Sequence, residues 1–326
     1  MSRDHNWGPR VGLFVTPADF ETHAQAVVER FAGFAPEDFL GFPIGMSSRP
    51  GQGAQGDGDL GDGARADPRH GLEVRTIETM LRRELALGPD EPRDALTWLG
   101  LSEQQLLVVT AGAVFHDDDG ALTRLRRRLS AFPRDVRLYK LACQWRRIAE
   151  EQAFVGRTGL GGDELGSRVI AARLVRDAMR MAFLIEDRYA PYPKWFGKAF
   201  AALPCAAELA PMLGRALAAA DWRTREAALA EACLALAKLH RARGLPGRFE
   251  PAVGPFHDRP FTVINADAIG QAIHAEIADP ALAALPVIGS LDQVTDSTPL
   301  TQAPARARRA MSALFDDGEA AAVEEA

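Results

Sequence analysis

The sequence predicts an α+β fold, mostly helical and built in two parts. Three observations carry that reading. The chain has 326 residues, and at about 150 residues per domain that length suggests two domains. Apolar residues follow strand spacing in short runs up to about residue 90 and recur at helical spacing from there on. Hydrophobic residues make up 47% and charged residues 25%, the balance of a globular protein, which excludes collagen-like, coiled-coil and fully disordered classes. The expected domains are a small mixed-sheet α/β domain over residues 1–90, a helical domain over 91–314 and a disordered acidic tail over 315–326.

The elements follow in order. RVGLFV at 10–15 reads as a strand, and Thr16-Pro17 as an N-cap with proline at the first position of the helix PADFETHAQAVVERFAGF. FLGFPI, ending at residue 44, reads as a second strand, and GLEVRTI at 71–77 as a third, followed by a helix over 78–86. The segment between those last two strands, about 46–69, is rich in glycine and aspartate and nearly free of large apolar side chains. It lacks the apolar surface to order itself, and reads as a flexible insertion in preference to a lid. From residue 90, helical spacing is expected over 102–112, 121–131, 135–155, 164–188, 205–219 and 222–243, a bundle of five to eight helices. FTVIN at 261–265 is a short β-like stretch, with further short helices up to Leu314.

Composition narrows the function. No apolar run approaches the ~18 to 20 residues of a membrane span, and MSRDHNWGPR lacks the apolar core of a signal peptide, so a cytoplasmic protein without a membrane partner is expected. Cys143, Cys205 and Cys233 are widely spaced with no CxxC or histidine partner, and His5, His116, His240 and His257 are scattered, which disfavours both a disulfide framework and a zinc site. The net charge of −6 argues against a nucleic-acid coat. Residues 101–200 carry 17 Lys and Arg against 12 Asp and Glu, so an anionic ligand is sought there. The glycine signatures of dinucleotide binding, P-loops and serine hydrolases are absent.

Two constellations remain. In Asp4-His5-Asn6, the oxygen-bearing side chains at i and i+2 of an extended chain point to one side, and Glu73, opposite in direction to Leu72 and Val74, brings a third oxygen; together they form a candidate Mg²⁺ site. The second is FVGRTGLGGDELGSR and the helix after it. There Arg173, Arg176 and Arg180 share a face, Arg157 lies close in sequence, and guanidinium forks suit phosphate oxygens. Asp163 and Glu164 sit at the helix N-terminus, Asp163 as N-cap and Glu164 as candidate general base. Tyr192 and Lys194 in YAPYPKWFG are candidates for lining a base or phosphate pocket.

In order, SRDHNWGPR, TAGAVFHDDDG, FVGRTGLGGDELGSR, YAPYPKWFGKAF, FHDRPFTVI and IGSLDQVTDST resemble the hallmark segments of the bacterial domain-of-unknown-function 4037 family. Its N-terminal part is similar to the minimal nucleotidyltransferase fold of the kanamycin and lincosamide nucleotidyltransferases. The resemblance implies ATP or another NTP as substrate, Mg²⁺ as cofactor and transfer of a nucleotide to an acceptor hydroxyl. Carried over, Asp4 is the first metal carboxylate, Asn6 stands where a second is expected, and Glu73 is the third. Asn6 is neutral, and no Gly-Ser turn precedes Asp4. The chain is therefore read as entering the domain partway, its first strand and helix missing; loss of the nucleotide cradle is the alternative. The rival to an enzyme is a noncatalytic nucleotide- or partner-binding module. The acceptor and the oligomeric state stay open.

Overall fold

The computed structural model describes residues 9–44, 64–66, 70–91 and 93–316. The chain divides into two compact units, Met1–Glu91 and Pro92–Ala326. It is α+β and mostly helical.

The N-terminal unit contains β1 (Val11–Phe14), α1 (Pro17–Phe34), β2 (Asp38–Phe39), β3 (Phe42–Pro43), β4 (Ala64–Ala66), β5 (Leu72–Arg75) and α2 (Ile77–Leu85). One sheet has the order β1-β5-β4, with β1 parallel to β5 and β4 antiparallel to it. Its core follows from period: Phe20, Ala24 and Val28, each one turn apart on α1, pack on Leu72 and Val74 of β5. Thr16 caps α1 by accepting from the Asp19 amide at 3.1 Å, with Pro17 at the helix start.

Two expectations need correction here. FLGFPI is not one strand but a tight hairpin of β2 and β3, because Leu40 and Gly41 take φ of 53° and 78°, the left-handed pair that a two-residue primed turn requires. Within the expected flexible segment 46–69, residues 64–66 form β4 and bury Ala64. An alanine is small enough to sit where α1 approaches the sheet edge. Residues 46–63 and 67–69 lie outside the described residues.

The C-terminal unit contains α3 (Ala95–Leu99), α4 (Glu103–Thr110), α5 (Ala121–Leu129), α6 (Arg134–Leu160), α7 (Glu164–Ile185), α8 (Pro193–Phe200), α9 (Ala206–Ala218), α10 (Trp222–Ala242), β6 (Val253–Phe256), β7 (Arg259–Ile264), α11 (Ala266–His274), α12 (Pro280–Ala283), α13 (Leu291–Val294), α14 (Thr298–Thr301) and α15 (Pro304–Leu314). Among the described residues, nine of these helices have eight or more residues, above the expected five to eight. The FTVIN stretch belongs to β7, which pairs with β6. Gly254-Pro255 disguised β6, since proline withholds a ladder donor and is tolerated only in an edge or ribbon strand.

The first half of α6 is buried nearly all round, with Tyr139, Leu141, Trp145 and Ile148 all inaccessible, which makes it the central helix of this unit. It packs against α7, α10 and α11. Glycines set how closely these helices approach. A Cβ on Gly159 of α6 would lie 2.3 Å from Trp222 of α10, and one on Gly156 would lie 2.4 Å from Glu226 and 2.5 Å from Phe261. The turn into α7 is closed by Asp163, which accepts from the Gly166 amide at 2.7 Å.

These contacts set opposite expectations for two glycine-to-alanine changes. Gly159→Ala forces Trp222 aside and lowers stability by about 1–3 kcal/mol, read from urea unfolding. Gly214→Ala, on α9 with nothing within 4 Å of the added methyl, raises it by about 0.4–1 kcal/mol.

Candidate functional site

Asp4 and Asn6 lie outside the described residues. Glu73 stands on β5, directed away from buried Leu72 and Val74, and pairs in register with Gly12 of β1 and Ala66 of β4. Its carboxylate, 27% exposed, is 3.2 Å from Arg83 and 3.5 Å from Arg75. The same guanidiniums lie 3.5 Å and 3.6 Å from Glu84. Two carboxylates are thus balanced by two cations between the central strand β5 and the helix α2 that follows it. Among the described residues no three His, Cys, Asp or Glu side chains gather as a metal site.

The predicted residues of the second unit go to separate partners. Arg173 pairs with Glu151 at 2.7 Å and Arg176 with Asp296 at 3.2 Å. Arg180 is buried, its Nη1 3.8 Å from Glu103. Arg157 lies over the Phe154 ring, and Lys194 lies 5.8 Å from the Trp195 ring centroid. The backbone N–H of Tyr192 donates to Gln104 at 3.1 Å. Glu164 accepts from Arg225 at 3.1 Å, and Arg225, itself buried, also donates to Ser167 and to the Ala219 carbonyl. Asp163 is an N-cap, as the sequence predicts. The glycines of FVGRTGLGGDELG serve close helix packing at Gly156 and Gly159 and the cap at Gly166. Of the arginine stripe, Arg176 and Arg180 remain electrostatically coupled: burial, then the neighbouring Arg180 charge, holds Arg176 below the usual guanidinium range.

The structure adds a buried polar cluster that sequence reading missed. Lys140 Nζ, from the second turn of α6, donates to Glu103 Oε1 at 2.9 Å and Ser290 Oγ at 2.8 Å, and lies 4.2 Å from the Phe132 ring centroid. Glu103 begins α4; its other oxygen accepts from the Ala190 amide at 2.7 Å, and its own amide donates to Asp292 at 2.9 Å. Gln293 bridges the Lys140 carbonyl and Gln144, and Gln144 donates to Asp177 at 3.0 Å. Two carboxylates meeting here divide in opposite directions. Burial opposes ionisation of Glu103, but Lys140 and Arg180 outweigh it and hold its pKa low. Burial and then the Glu103 charge push Asp292 up to about 6. The one available signal was Lys140, a lone cation in the largely apolar run LYKLACQW. Asp292 lies in IGSLDQVTDST, which sequence reading noted without assigning it a role.

Two further features limit the chemistry. Cys143, Cys205 and Cys233 are free, buried thiols whose pKa values burial raises to about 12, so they are poor nucleophiles. A cavity of about 10 Å³ is lined by Gln152, Leu174, Glu226, Cys233 and Thr262, and Glu226 Oε1 is buried there without a hydrogen-bond partner. That space is about the size of a single water and too small for a substrate. Among the described residues no helix is long and apolar enough to cross a membrane.

Residues 98–196, from the end of α3 into α8, match the family model described as a domain of unknown function, DUF4037. No curated protein and no solved structure matches the chain.

The buried cluster makes two predictions. Lys140→Met leaves the Glu103 carboxylate buried without its closest cation and costs about 3–5 kcal/mol in denaturant unfolding; Lys140→Met combined with Glu103→Leu recovers part of the loss. For Asp292 the folded pKa lies above the ordinary 3.8, so its contribution to stability is complete at low pH and is lost as pH rises to about 6. Asp292→Asn removes that slope. Its stability relative to the parent therefore climbs between pH 4 and 6 and levels off above, as followed by thermal unfolding across pH.

Proposed function

Since the chain carries a DUF4037 domain over residues 98–196, we propose that it is a nucleotidyltransferase-like protein whose chemistry belongs to the N-terminal unit. The reaction in this reading is Mg²⁺-dependent transfer of a nucleotide from ATP or another NTP to an acceptor hydroxyl. The observation that supports it best is the position of Glu73. It is a half-buried carboxylate on β5, next to and parallel with β1, the strand that the Asp4-His5-Asn6 segment leads into.

Side-chain oxygens of Asp4, Asn6 and Glu73 would hold the ion, and oxygen donors suit a hard cation. When bound, Mg²⁺ supplies charge neutralisation on the phosphates. Glu73 now shares its carboxylate with Arg75 and Arg83, so engaging a cation leaves those two guanidiniums with Glu84 alone and one positive charge in excess beside the site, which suits phosphate oxygens. The rival reading, a noncatalytic binding module, is favoured by a separate observation: Glu164, Arg173, Arg176 and Arg180 each have an ionic partner already. Glu164 as general base would first have to leave Arg225.

Calorimetry with Mg·ATP tests the reading. The parent chain binds, and Glu73→Gln weakens binding about tenfold or more, the equivalent of about 1.4 kcal/mol, with an unchanged circular dichroism spectrum. Absence of Mg·ATP binding by the parent, or undiminished binding by Glu73→Gln, rejects the metal assignment.

A further inference from the structure

We infer that the loop 111–120 and the helix α5 that follows it form a docking surface for a second copy of this chain, the two copies of α5 meeting antiparallel about a two-fold axis. The inference goes beyond the transfer reaction proposed above and stands or falls without it, because no metal and no residue of the N-terminal unit takes part.

The surface is one segment fastened at both ends. Arg126 of α5 donates to the carbonyls of Thr110, of Ala111 at 2.8 Å and of Gly112 at 2.6 Å, which holds the start of the loop. The far end is closed by Asp117, whose carboxylate accepts from the Thr123 amide at 2.7 Å and whose carbonyl accepts from the Gly120 amide at 3.0 Å. Anchored at Arg126 and at Thr123, the loop runs along one flank of α5, and Arg127, one turn on from Thr123, borders that flank. Between the two anchors Phe115 stands 90% exposed. A lone exposed apolar side chain is ordinary. One carried by a loop tied down at both ends is pre-organised as an anchor, because little ordering remains to be done on binding.

Charge selects the partner. Asp118 and Asp119 precede α5 and are exposed; among the described residues Asp118 has only His116 within ion-pair reach, at 3.2 Å, and Asp119 has no ion pair. Arg127 and Arg128, in the last turn of α5, are exposed and have no ion pair among the described residues. Acids before a helix and bases in its last turn suit that helix's own dipole, which accounts for their placement but leaves both ends unneutralised. The nine residues of α5 hold the two ends roughly 13 Å apart at ~1.5 Å per residue. A second copy laid antiparallel brings its Arg127 and Arg128 to the first copy's Asp118 and Asp119, and its own acids to the first copy's arginines. One two-fold operation thus pairs every one of these charges, whereas an unrelated partner would have to present both signs at the same spacing. A contact built on one helix and one loop belongs at the small end of interfaces, below ~1,200 Å² in total, so the association is weak and reversible.

The test is sedimentation velocity of the full chain across the micromolar range at low and high salt. The parent is expected to show a reversible monomer–dimer equilibrium that weakens as salt rises. Phe115→Ser should weaken it about tenfold or more. So should Arg127→Glu with Arg128→Glu, and so should Asp118→Arg with Asp119→Arg; all lie on the surface, and the circular dichroism spectrum should not change. The two charge-reversed chains, each poor at self-association, should associate with each other when mixed, because one then carries acids and the other bases at both ends of α5. A loss of folding could not produce that recovery. Glu73→Gln should dimerise as the parent does, which separates this surface from the Mg·ATP reading. A parent that stays monomeric, a dimer indifferent to Phe115→Ser or to either charge reversal, or charge-reversed chains that fail to associate on mixing overturns the proposal.

Discussion

A lysine ammonium with no solvent exposure must be paired, and in this protein Lys140 of α6 is paired with Glu103, itself 1% exposed. Much of the helical unit is arranged around that requirement. Desolvating both ions costs several kcal/mol each, and their attraction repays this only if the remaining donors and acceptors are satisfied. Here they are supplied by segments far apart in sequence: the Ala190 amide beyond α7, Ser290 before α13, and Gln293, which reaches the Lys140 carbonyl. One ion pair thereby fixes the start of α4, the second turn of α6, the exit of α7 and the entry of α13. Such pairs are weak sources of net stability and strong sources of specificity, because each misplaced segment strands a charge.

The same arrangement draws the polar residues of the family-matched segment into the interior. Within residues 98–196, Glu103, Lys140, Gln144, Asp177 and Arg180 point into the cluster, while Gly156 and Gly159 let α6 approach α10 and β7. What reaches solvent from this network is its edge, where Arg176 meets Asp296. The N-terminal unit has a smaller version of this logic, in which Glu73 and Glu84 share Arg75 and Arg83.

Local chemistry in the sequence proved sufficient for local structure. The cap at Thr16, Pro17 at the start of α1, the cap at Asp163 and the inward Leu72 and Val74 all stand as their residue types require. Where turn conformation or ribbon geometry decided, the reading fell short: Leu40-Gly41 split a run taken as one strand, and Gly254-Pro255 hid β6. Side-chain partnership was the least legible part. Spacing put Arg173, Arg176 and Arg180 on one helical face but carried no information on what that face meets, so Arg180 was expected at a phosphate and lies beside Glu103. Glu103 and Lys140 are 37 residues apart and Lys140 and Ser290 150. Contacts at that separation are set by tertiary packing, which no periodicity encodes.

Native-state hydrogen exchange at two amides addresses the central role of the buried charges most directly. The Glu103 amide donates to Asp292 and the Ala190 amide to Glu103, and neither bond belongs to an interior helical ladder. If the ion pair welds these segments to α6, both amides exchange only with the free energy of the core amides of α6, through global unfolding. Exchange of either by local opening, at a free energy well below that of the α6 core, would contradict the account.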